Sequence, residues 1–215
     1  MIPNWAAERA RMVETQLRRR GIHDERVLRA MEQIPREEFV PTDIRVMAYR
    51  DDPIHIGFGQ TISQPYMTAL MAQELGLTGT ETVLDVGAGS GYAAAVLAEL
   101  AARVVTVEIV PGLARVARAN LQRTMRGGRI MVLEGDGSIG AAAFAPFDAI
   151  SVAAAAPEVP LPLIEQLNDR GRLVIPVGDR TDQELRVVCK QNGRIEYRVA
   201  TQCRFVPLRG GEGWQ

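Results

Sequence analysis

The feature that most constrains the fold is a glycine-rich loop directly after an apolar stretch. Residues 82–86 read Thr-Val-Leu-Asp-Val, and the chain continues Gly87-Ala88-Gly89-Ser90-Gly91 into an alanine-rich stretch. Glycines at such a place let the backbone turn tightly and approach a ligand. Glu108 lies 21 residues after Gly87, where a carboxylate can hydrogen-bond both hydroxyls of a ribose. The pattern predicts a site for an adenosine-type ligand at the carboxyl edge of a sheet.

Around this loop, apolar stretches of strand length alternate with helical stretches. Strands are predicted at residues 82–86, 104–107, 129–133, 147–152 and 172–176, and helices at 90–101, 111–125 and 160–168. Strands that are apolar on both faces and separated by helices indicate a parallel sheet covered on both sides. After Gln183 the apolar positions alternate, and Asn192-Gly193 predicts a hairpin turn. We therefore predict an α/β fold, a doubly wound and mostly parallel Rossmann-like sheet with an antiparallel C-terminal strand pair.

The first part of the chain predicts short helices. Asn4 is placed to cap a helix that runs to about Arg20 and ends at Gly21, and Asp24 to cap a second helix that ends at Pro35. These helices would form an N-terminal helical cap. We predict a single domain over residues 1–215, with the cap and a substrate segment at 1–80, a cofactor-binding core at 81–178, and C-terminal strands and a tail at 179–215.

Composition excludes several classes of protein. The chain is 47% hydrophobic and 24% charged, as in ordinary globular proteins. Its 25 basic and 26 acidic residues give a net charge of −1, so no overall field favours nucleic acid or an anionic membrane. Cys189 and Cys203 are too few for a disulfide framework or a zinc site, and no metal is predicted. With no signal-like or membrane-spanning apolar stretch, we expect a soluble, cytoplasmic monomer.

The spacing of the loop glycines separates two classes of ligand. Dinucleotide-binding proteins have Gly-x-Gly-x-x-Gly, whereas here Gly91 comes one residue early and the loop carries no Lys or Arg for a phosphate. The spacing Gly-x-Gly-x-Gly after Leu-Asp-Val resembles class I S-adenosylmethionine-dependent methyltransferases. In a second turn, Gly135-Asp136-Gly137, Asp136 is placed to accept from an adenine amino group, although Asp-Gly is also a common turn pair.

Residues 56–67 are apolar and glycine-rich and run into a predicted helix. Ser63 is well placed as the N-cap of that helix, with Pro65 in its first turn. A helix N-terminus beside the hydroxyls of Thr61 and Ser63 is also suited to bind a carboxylate. The residues alone leave both interpretations open.

Several stretches, in the right order along nearly the whole chain, resemble the protein-L-isoaspartate O-methyltransferase family. They are residues 34–40, 57–67, 87–91, 135–137, 154–160, 171–178 and 204–208. The run Gly-Gln-Thr-Ile-Ser-Gln-Pro at 59–65 is the most specific of them. The resemblance implies S-adenosyl-L-methionine as the cofactor. It also implies methyl esterification of the free α-carboxyl of L-isoaspartyl residues in damaged proteins and peptides, which starts repair through a succinimide.

The resemblance assigns roles to individual residues. Ser63 is implied as the active-site serine, which orients the substrate carboxylate. The implied cofactor-binding residues are Asp85, Gly87, Ala88, Gly89, Ser90, Gly91, Glu108, Ile109, Asp136 and Gly137. The implied substrate-binding residues are Ile56, Gly57, Gln60, Thr61, Ile62, Ser63, Gln64, Arg204 and Val206.

Other function classes lack their motifs. Nucleic-acid amino-methyltransferases typically carry Asp/Asn-Pro-Pro-aromatic after the fourth strand, where this chain reads Ala-Ala-Ala-Ala-Pro at 153–157. An NAD-linked oxidoreductase needs the other glycine spacing, and a serine hydrolase needs Gly-x-Ser-x-Gly, which no serine here provides. Two alternatives remain within the family: an enzyme dedicated to tailoring one peptide, and a catalytically weak adaptor that binds S-adenosylmethionine.

Overall fold

The computed structural model describes residues 3–124 and 128–214. The strands, numbered along the chain, are β1 (Ile54–Gly57), β2 (Gln60–Ile62), β3 (Thr82–Val86), β4 (Arg103–Glu108), β5 (Ile130–Glu134), β6 (Phe147–Val152), β7 (Leu167–Gly178), β8 (Gln183–Gln191) and β9 (Arg194–Cys203). The α-helices are α1 (Trp5–Met12), α2 (Glu25–Gln33), α3 (Pro65–Leu75), α4 (Tyr92–Ala98), α5 (Pro111–Thr124) and α6 (Leu161–Glu165). Met125, the predicted end of α5, lies outside the described residues.

The main sheet has seven strands in the order β5-β4-β3-β6-β7-β8-β9. The pairs from β5 to β7 are parallel, and β8 is antiparallel to both β7 and β9. Leu84, Val105 and Ile150 at its centre are fully buried, as expected for parallel strands covered on both faces. Asn192 and Gly193 have φ values of 51° and 73°, which suits the tight turn between β8 and β9. The predicted fold class is confirmed.

The N-terminal helices form a helical cap, and its helix α2 packs against α3 and α4. Asn4 Oδ1 accepts the N–H of Ala7 at 3.2 Å, and Asp24 Oδ1 accepts the N–H of Arg26 at 2.8 Å, so both predicted caps are present. The first helix continues past α1 as a π-helical turn and a 3-10 turn before Gly21 reverses the backbone at φ 93°. Residues of this region share one buried cluster with residues of the sheet. Among the described residues, none of the helices has the length and apolarity to cross a bilayer.

Two helices are shorter than predicted. The helix after the glycine loop begins at Tyr92 instead of residue 90, because Gly91 is left-handed at φ 92° and serves as its N-cap. The helix predicted at 160–168 ends at Glu165, since Leu167 already pairs with Phe147 of β6. Pairing with the neighbouring strand thus extends β7 over 12 residues.

Residues 54–62 form an antiparallel hairpin of β1 and β2 that the sequence did not predict. Its turn holds Phe58 at φ 54° and Gly59 at φ 71°. A Cβ atom on Gly112 would lie 2.3 Å from Cζ of Phe58, and one on Gly89 would lie 3.3 Å from Cδ1 of Ile56. The hairpin therefore lies directly across the glycine loop and the start of α5.

Candidate active site

A cavity opens at the carboxyl ends of β3, β4 and β6. From β3 the chain crosses to β4 on one side, and from β6 it crosses to β7 on the other. Such a divergence leaves a crevice at the edge of a parallel sheet, where ligands bind.

The glycine loop forms the floor of this cavity. Gly87, Gly89 and Gly91 have φ values of 95°, 55° and 92°, in the left-handed region that favours glycine. The N–H groups of Gly87 and Ala88 donate to the carbonyl oxygen of Val107 at 2.9 and 3.2 Å. These bonds fold the loop back onto the end of β4, and residues 87–90 of the loop line the cavity.

Glu108, at the end of β4, lies at the wall of the cavity and is 5% exposed. Its Oε2 accepts the N–H of Gly89 at 2.8 Å, and its Oε1 accepts the N–H of Val110 at 2.9 Å. Each carboxylate oxygen accepts more than one hydrogen bond, so both keep capacity for ligand hydroxyls. This arrangement fits a carboxylate that binds the two hydroxyls of a ribose.

Two buried polar atoms beside the loop have no protein partner in the part of the chain that the structure describes. They are Oδ1 of Asp85 and Oγ of Ser90. Oδ2 of Asp85 accepts the hydroxyl of Thr106 at 2.7 Å. Burial raises the pKa of Asp85 to about 7, against the opposing effect of this hydrogen bond. Because unpaired buried polar atoms are costly, their presence beside the cavity fits a ligand with polar groups.

Asp136, predicted to meet an adenine amino group, has well-defined protein partners. Its Oδ1 accepts the N–H and the hydroxyl of Ser138 at 2.8 and 2.6 Å, and its Oδ2 accepts the N–H of Gly211 at 2.8 Å. Burial raises the pKa of Asp136, but these hydrogen bonds together outweigh it and lower the pKa. The next residue, Gly137, lines the cavity, whereas Asp136 does not. Asp136 thus anchors the C-terminal residues beside the site.

Residues 204–214, here called the C-terminal strap, close one side of the cavity. Ala155 donates its N–H to Val206 at 2.8 Å and accepts the N–H of Leu208 at 2.7 Å and the indole N–H of Trp214 at 3.0 Å. Of the two strap residues assigned to substrate binding, Val206 lines the cavity and Arg204 lies outside its lining. The strap instead brings Arg209 to the wall.

Ser63 lines the cavity but is not the N-cap of α3, so that prediction is wrong. Pro65 occupies the first helical position and restricts the preceding residue to extended backbone, which makes Gln64 the N-cap. Oδ1 of Asp51 accepts the N–H of Tyr66 at 3.2 Å, in the first turn of the helix. The hydroxyl of Ser63 has no hydrogen-bond partner among the described residues, and Ser63 is one of the residues that line the cavity.

The structure brings together residues from both predicted sets. The predicted residues that line the cavity are Gln60, Thr61, Ile62, Ser63, Gly87, Ala88, Gly89, Ser90, Glu108, Ile109, Gly137 and Val206. The predicted residues outside its lining are Asp85, Gly91, Asp136, Ile56, Gly57, Gln64 and Arg204.

Other lining residues were not predicted. They include Thr68, Tyr92, Val110, Leu113, Ala153, Ala154, Pro207, Leu208 and Arg209. Ala153 and Ala154 follow a predicted parallel strand, so the rule that ligands bind at carboxyl ends could have found them. The position of Arg209 depends on how the strap folds back, which no local pattern indicates.

Known proteins share this architecture. The family model described as Protein-L-isoaspartate(D-aspartate) O-methyltransferase (PCMT) matches residues 7–213. A protein-L-isoaspartate O-methyltransferase of Methanoculleus marisnigri is 53% identical over 208 residues, which cover 97% of this chain and 94% of the relative. One of Koribacter versatilis is 50% identical over 213 residues, covering 99% and 96% of the two chains.

A crystal structure of a candidate protein-L-isoaspartate O-methyltransferase from Plasmodium falciparum, in complex with S-adenosyl-L-homocysteine, superposes with a TM-score of 0.84. It is 28% identical and covers 97% of this chain and 99% of its own. Sequence, fold and cavity agree, and the chain therefore belongs to the protein-L-isoaspartate(D-aspartate) O-methyltransferase family, whose members are S-adenosylmethionine-dependent enzymes.

Proposed function

We propose that this chain methylates the free α-carboxyl of L-isoaspartyl residues in damaged proteins and peptides and so initiates their repair through a succinimide. The observation that carries the proposal is that Ser63 and the glycine loop line one cavity. A site for an adenosine-type cofactor and a free hydroxyl that can meet an acidic substrate thus lie side by side. This is the arrangement that transfer between two bound ligands requires.

The cofactor half of the cavity is assigned to the glycine loop, Glu108 and Ile109, with Asp85 below the loop and Asp136-Gly137 beside it. The carboxylate of Glu108, which keeps capacity to accept further hydrogen bonds, and the unpaired buried oxygens of Asp85 and Ser90 fit the polar groups of S-adenosyl-L-methionine. When bound, this cofactor supplies an electrophilic methyl group on a positively charged sulfur. The protein has to hold it beside the substrate and to exclude water.

The substrate half needs no general base. The α-carboxyl of an isoaspartyl residue has a pKa of about 3.5 and is ionised at neutral pH. We assign Thr61 and Ser63 to hydrogen bonds that orient this carboxylate, so Ser63 acts as a donor and not as a nucleophile. Catalysis then comes from the alignment of two reactive groups and from partial desolvation of the anion.

We assign substrate selection to the hairpin and the strap, which border the cavity from two sides. Gln60, Thr61 and Ile62 lie on one side and Val206 on the other. An isoaspartyl residue differs from an aspartyl residue in the placement of one methylene. The two are distinguished only by the path of the peptide main chain through the residue and by the position of its free carboxylate. Two opposed walls that hold an extended peptide can sense that difference.

The test is a methyl-transfer assay with S-adenosyl-L-methionine and paired peptides that contain either L-isoaspartate or L-aspartate. The proposal expects methyl ester formation on the isoaspartyl peptide alone. Equal methylation of both peptides, or of neither, would overturn it; the second result would favour the adaptor.

A panel of unrelated isoaspartyl peptides separates general repair from a dedicated enzyme. General repair expects specificity constants, kcat/KM, within about a hundredfold across the panel, whereas a tailoring enzyme would accept one sequence almost exclusively.

We further propose that residues 1–215 work as one domain, as a monomer, in the cytoplasm. The buried cluster that joins the N-terminal helices to the sheet supports the first point. Cys189 and Cys203 are both free thiols, which suits a reducing compartment. Sedimentation analysis of the purified protein tests the monomer.

A further inference from the structure

Arg36 lies buried behind Ser63, outside the cavity lining, and no sequence pattern assigned it a role. It is 0% exposed. Its Nε donates to the carbonyl oxygen of Ala48 at 2.7 Å, and its Nη2 donates to the carbonyl oxygen of Ser63 at 2.8 Å. Its guanidinium also lies 4.8 Å from the ring centroid of Tyr92, a residue of the cavity wall. One side chain therefore links the helical cap, the substrate segment and the helix after the glycine loop.

This guanidinium has no carboxylate partner in the described ranges. Its bonds go to neutral carbonyl oxygens, and Nη1 is buried without any partner. The neighbouring carboxylates are already paired. Glu37 accepts from Arg9 at 2.8 Å and from the hydroxyl of Tyr49, and Asp51 pairs with Arg20.

A buried cation without a directly bonded carboxylate is expensive, and burial lowers the pKa of Arg36 against the weaker opposing effects of Tyr92, Tyr49 and the Asp51 carboxylate. A guanidinium nevertheless stays protonated at neutral pH. In the proposed function, the enzyme brings an anion, the substrate carboxylate, to Ser63, whose carbonyl oxygen Arg36 contacts. Binding of that carboxylate would add a second anion to the partial compensation that Asp51 gives the charge of Arg36.

We propose that Arg36 is a positioning residue whose buried charge selects the anionic α-carboxylate at Ser63 while its hydrogen bond fixes the Ser63 backbone. The inference rests on the proposed function. It predicts that the protein discriminates by charge: it holds the carboxylate substrate and releases the neutral methyl ester product.

The experiment measures binding of two synthetic peptides in the presence of S-adenosyl-L-homocysteine, so that no turnover occurs. One peptide carries an L-isoaspartyl α-carboxylate, and the other carries the uncharged α-carboxamide at the same position. For the wild-type protein we expect the carboxylate peptide to bind at least about tenfold more tightly, on the scale of one unscreened charge pair. Equal binding of the two peptides would overturn the inference without any variant.

Three variants of Arg36 then separate charge from packing. Arg36→Met and Arg36→Gln are expected to lose most of the carboxylate preference and to bind the carboxamide peptide within about threefold of wild type. Arg36→Lys keeps the charge and is expected to keep the preference, with a lower kcat because the bond to Ser63 is lost. If the neutral variants weaken both peptides equally, Arg36 is only structural and the inference fails.

Arg26 provides a matched control. It also donates to two carbonyl oxygens, those of Leu77 and Leu100, at 2.6 and 3.1 Å, but neither acceptor lines the cavity. Arg26→Met should keep the wild-type preference, and a loss there would contradict a specific role for Arg36. If Arg36→Met does not fold, Arg36→Gln and the wild-type comparison still decide. Absence of methylation by the wild-type protein would instead refute the proposed function itself.

Discussion

The carboxylate of Asp51 caps the helix that begins at Pro65, by accepting the N–H of Tyr66 at 3.2 Å. The same carboxylate pairs with Arg20 of the N-terminal helical region. Because an external residue caps this helix, Ser63 does not have to. Asp51, which belongs to the N-terminal helical cap, therefore leaves the hydroxyl of Ser63 free for the proposed chemistry.

The variant Asp51→Ala tests whether Asp51, and not Ser63, caps α3. The loss of a helix cap is expected to lower the free energy of unfolding by about 1 kcal/mol and to reduce methylation as the start of α3 loosens. Urea unfolding and steady-state kinetics with an isoaspartyl peptide measure the two effects. Asp52→Ala is the matched control, since Asp52 is the exposed neighbour. Identical behaviour of both variants would show that Asp51 is not the cap that matters.

Ser63→Ala removes only the hydroxyl that lines the cavity. We expect kcat/KM for an isoaspartyl peptide to fall about 10- to 100-fold, the scale of one lost hydrogen bond to a charged group. The affinity for S-adenosyl-L-methionine, measured by calorimetry, should not change. Full activity of a folded variant would refute the role of this serine.

Glu108→Ala removes the carboxylate assigned to the ribose. We expect the Kd for S-adenosyl-L-methionine to rise at least about tenfold, since two charge-assisted hydrogen bonds are lost. Glu134→Ala is the control because Glu134 pairs with Glu108 in register on β5 but is exposed. An unchanged Kd with a large loss of kcat would mean that Glu108 acts on the chemical step.

The raised pKa of Asp85 predicts that the stability of the protein depends on pH in a specific way. Burial raises the pKa of its carboxyl in the folded protein to about 7, above its value of 3.8 in the unfolded chain. The folded state therefore binds the proton more tightly, and the free energy of unfolding falls as the pH rises from about 4 to about 7.

In Asp85→Asn this part of the decline should be missing, whereas the exposed Asp43→Asn should keep it. Urea unfolding of the cofactor-free protein between pH 4 and 8 provides the measurement. Parallel profiles for wild type and Asp85→Asn would contradict the shift.

Most of the sheet was predictable because each parallel strand has a recognisable local sequence pattern. Residues 82–86, 104–107 and 147–152 are short apolar stretches next to glycine or helix signals, and the structure places strands there. The β1–β2 hairpin has no such pattern, since its strands have only four and three residues and its turn contains Phe58 at positive φ. Its existence depends on contacts with the glycine loop, which a local pattern does not encode.

Site residues were predictable from the sequence only where a residue type suited to binding directly follows a predicted strand. Glu108 and Gly87 follow strands directly, so the sequence could place both at the sheet edge. The cap of α3 was misassigned to Ser63 because its true acceptor, Asp51, lies 15 residues before Tyr66. The strap contact between Asp136 and Gly211 spans 75 residues, so no local motif could show that this carboxylate already has a partner.

The ring of Phe58 occupies the space that a side chain at Gly112 would need. A single methyl group at position 112 would push this ring aside, so the sizes of the residues at positions 58 and 112 constrain each other. Laboratory evolution toward new methyl donors should therefore randomise positions 58 and 112 together.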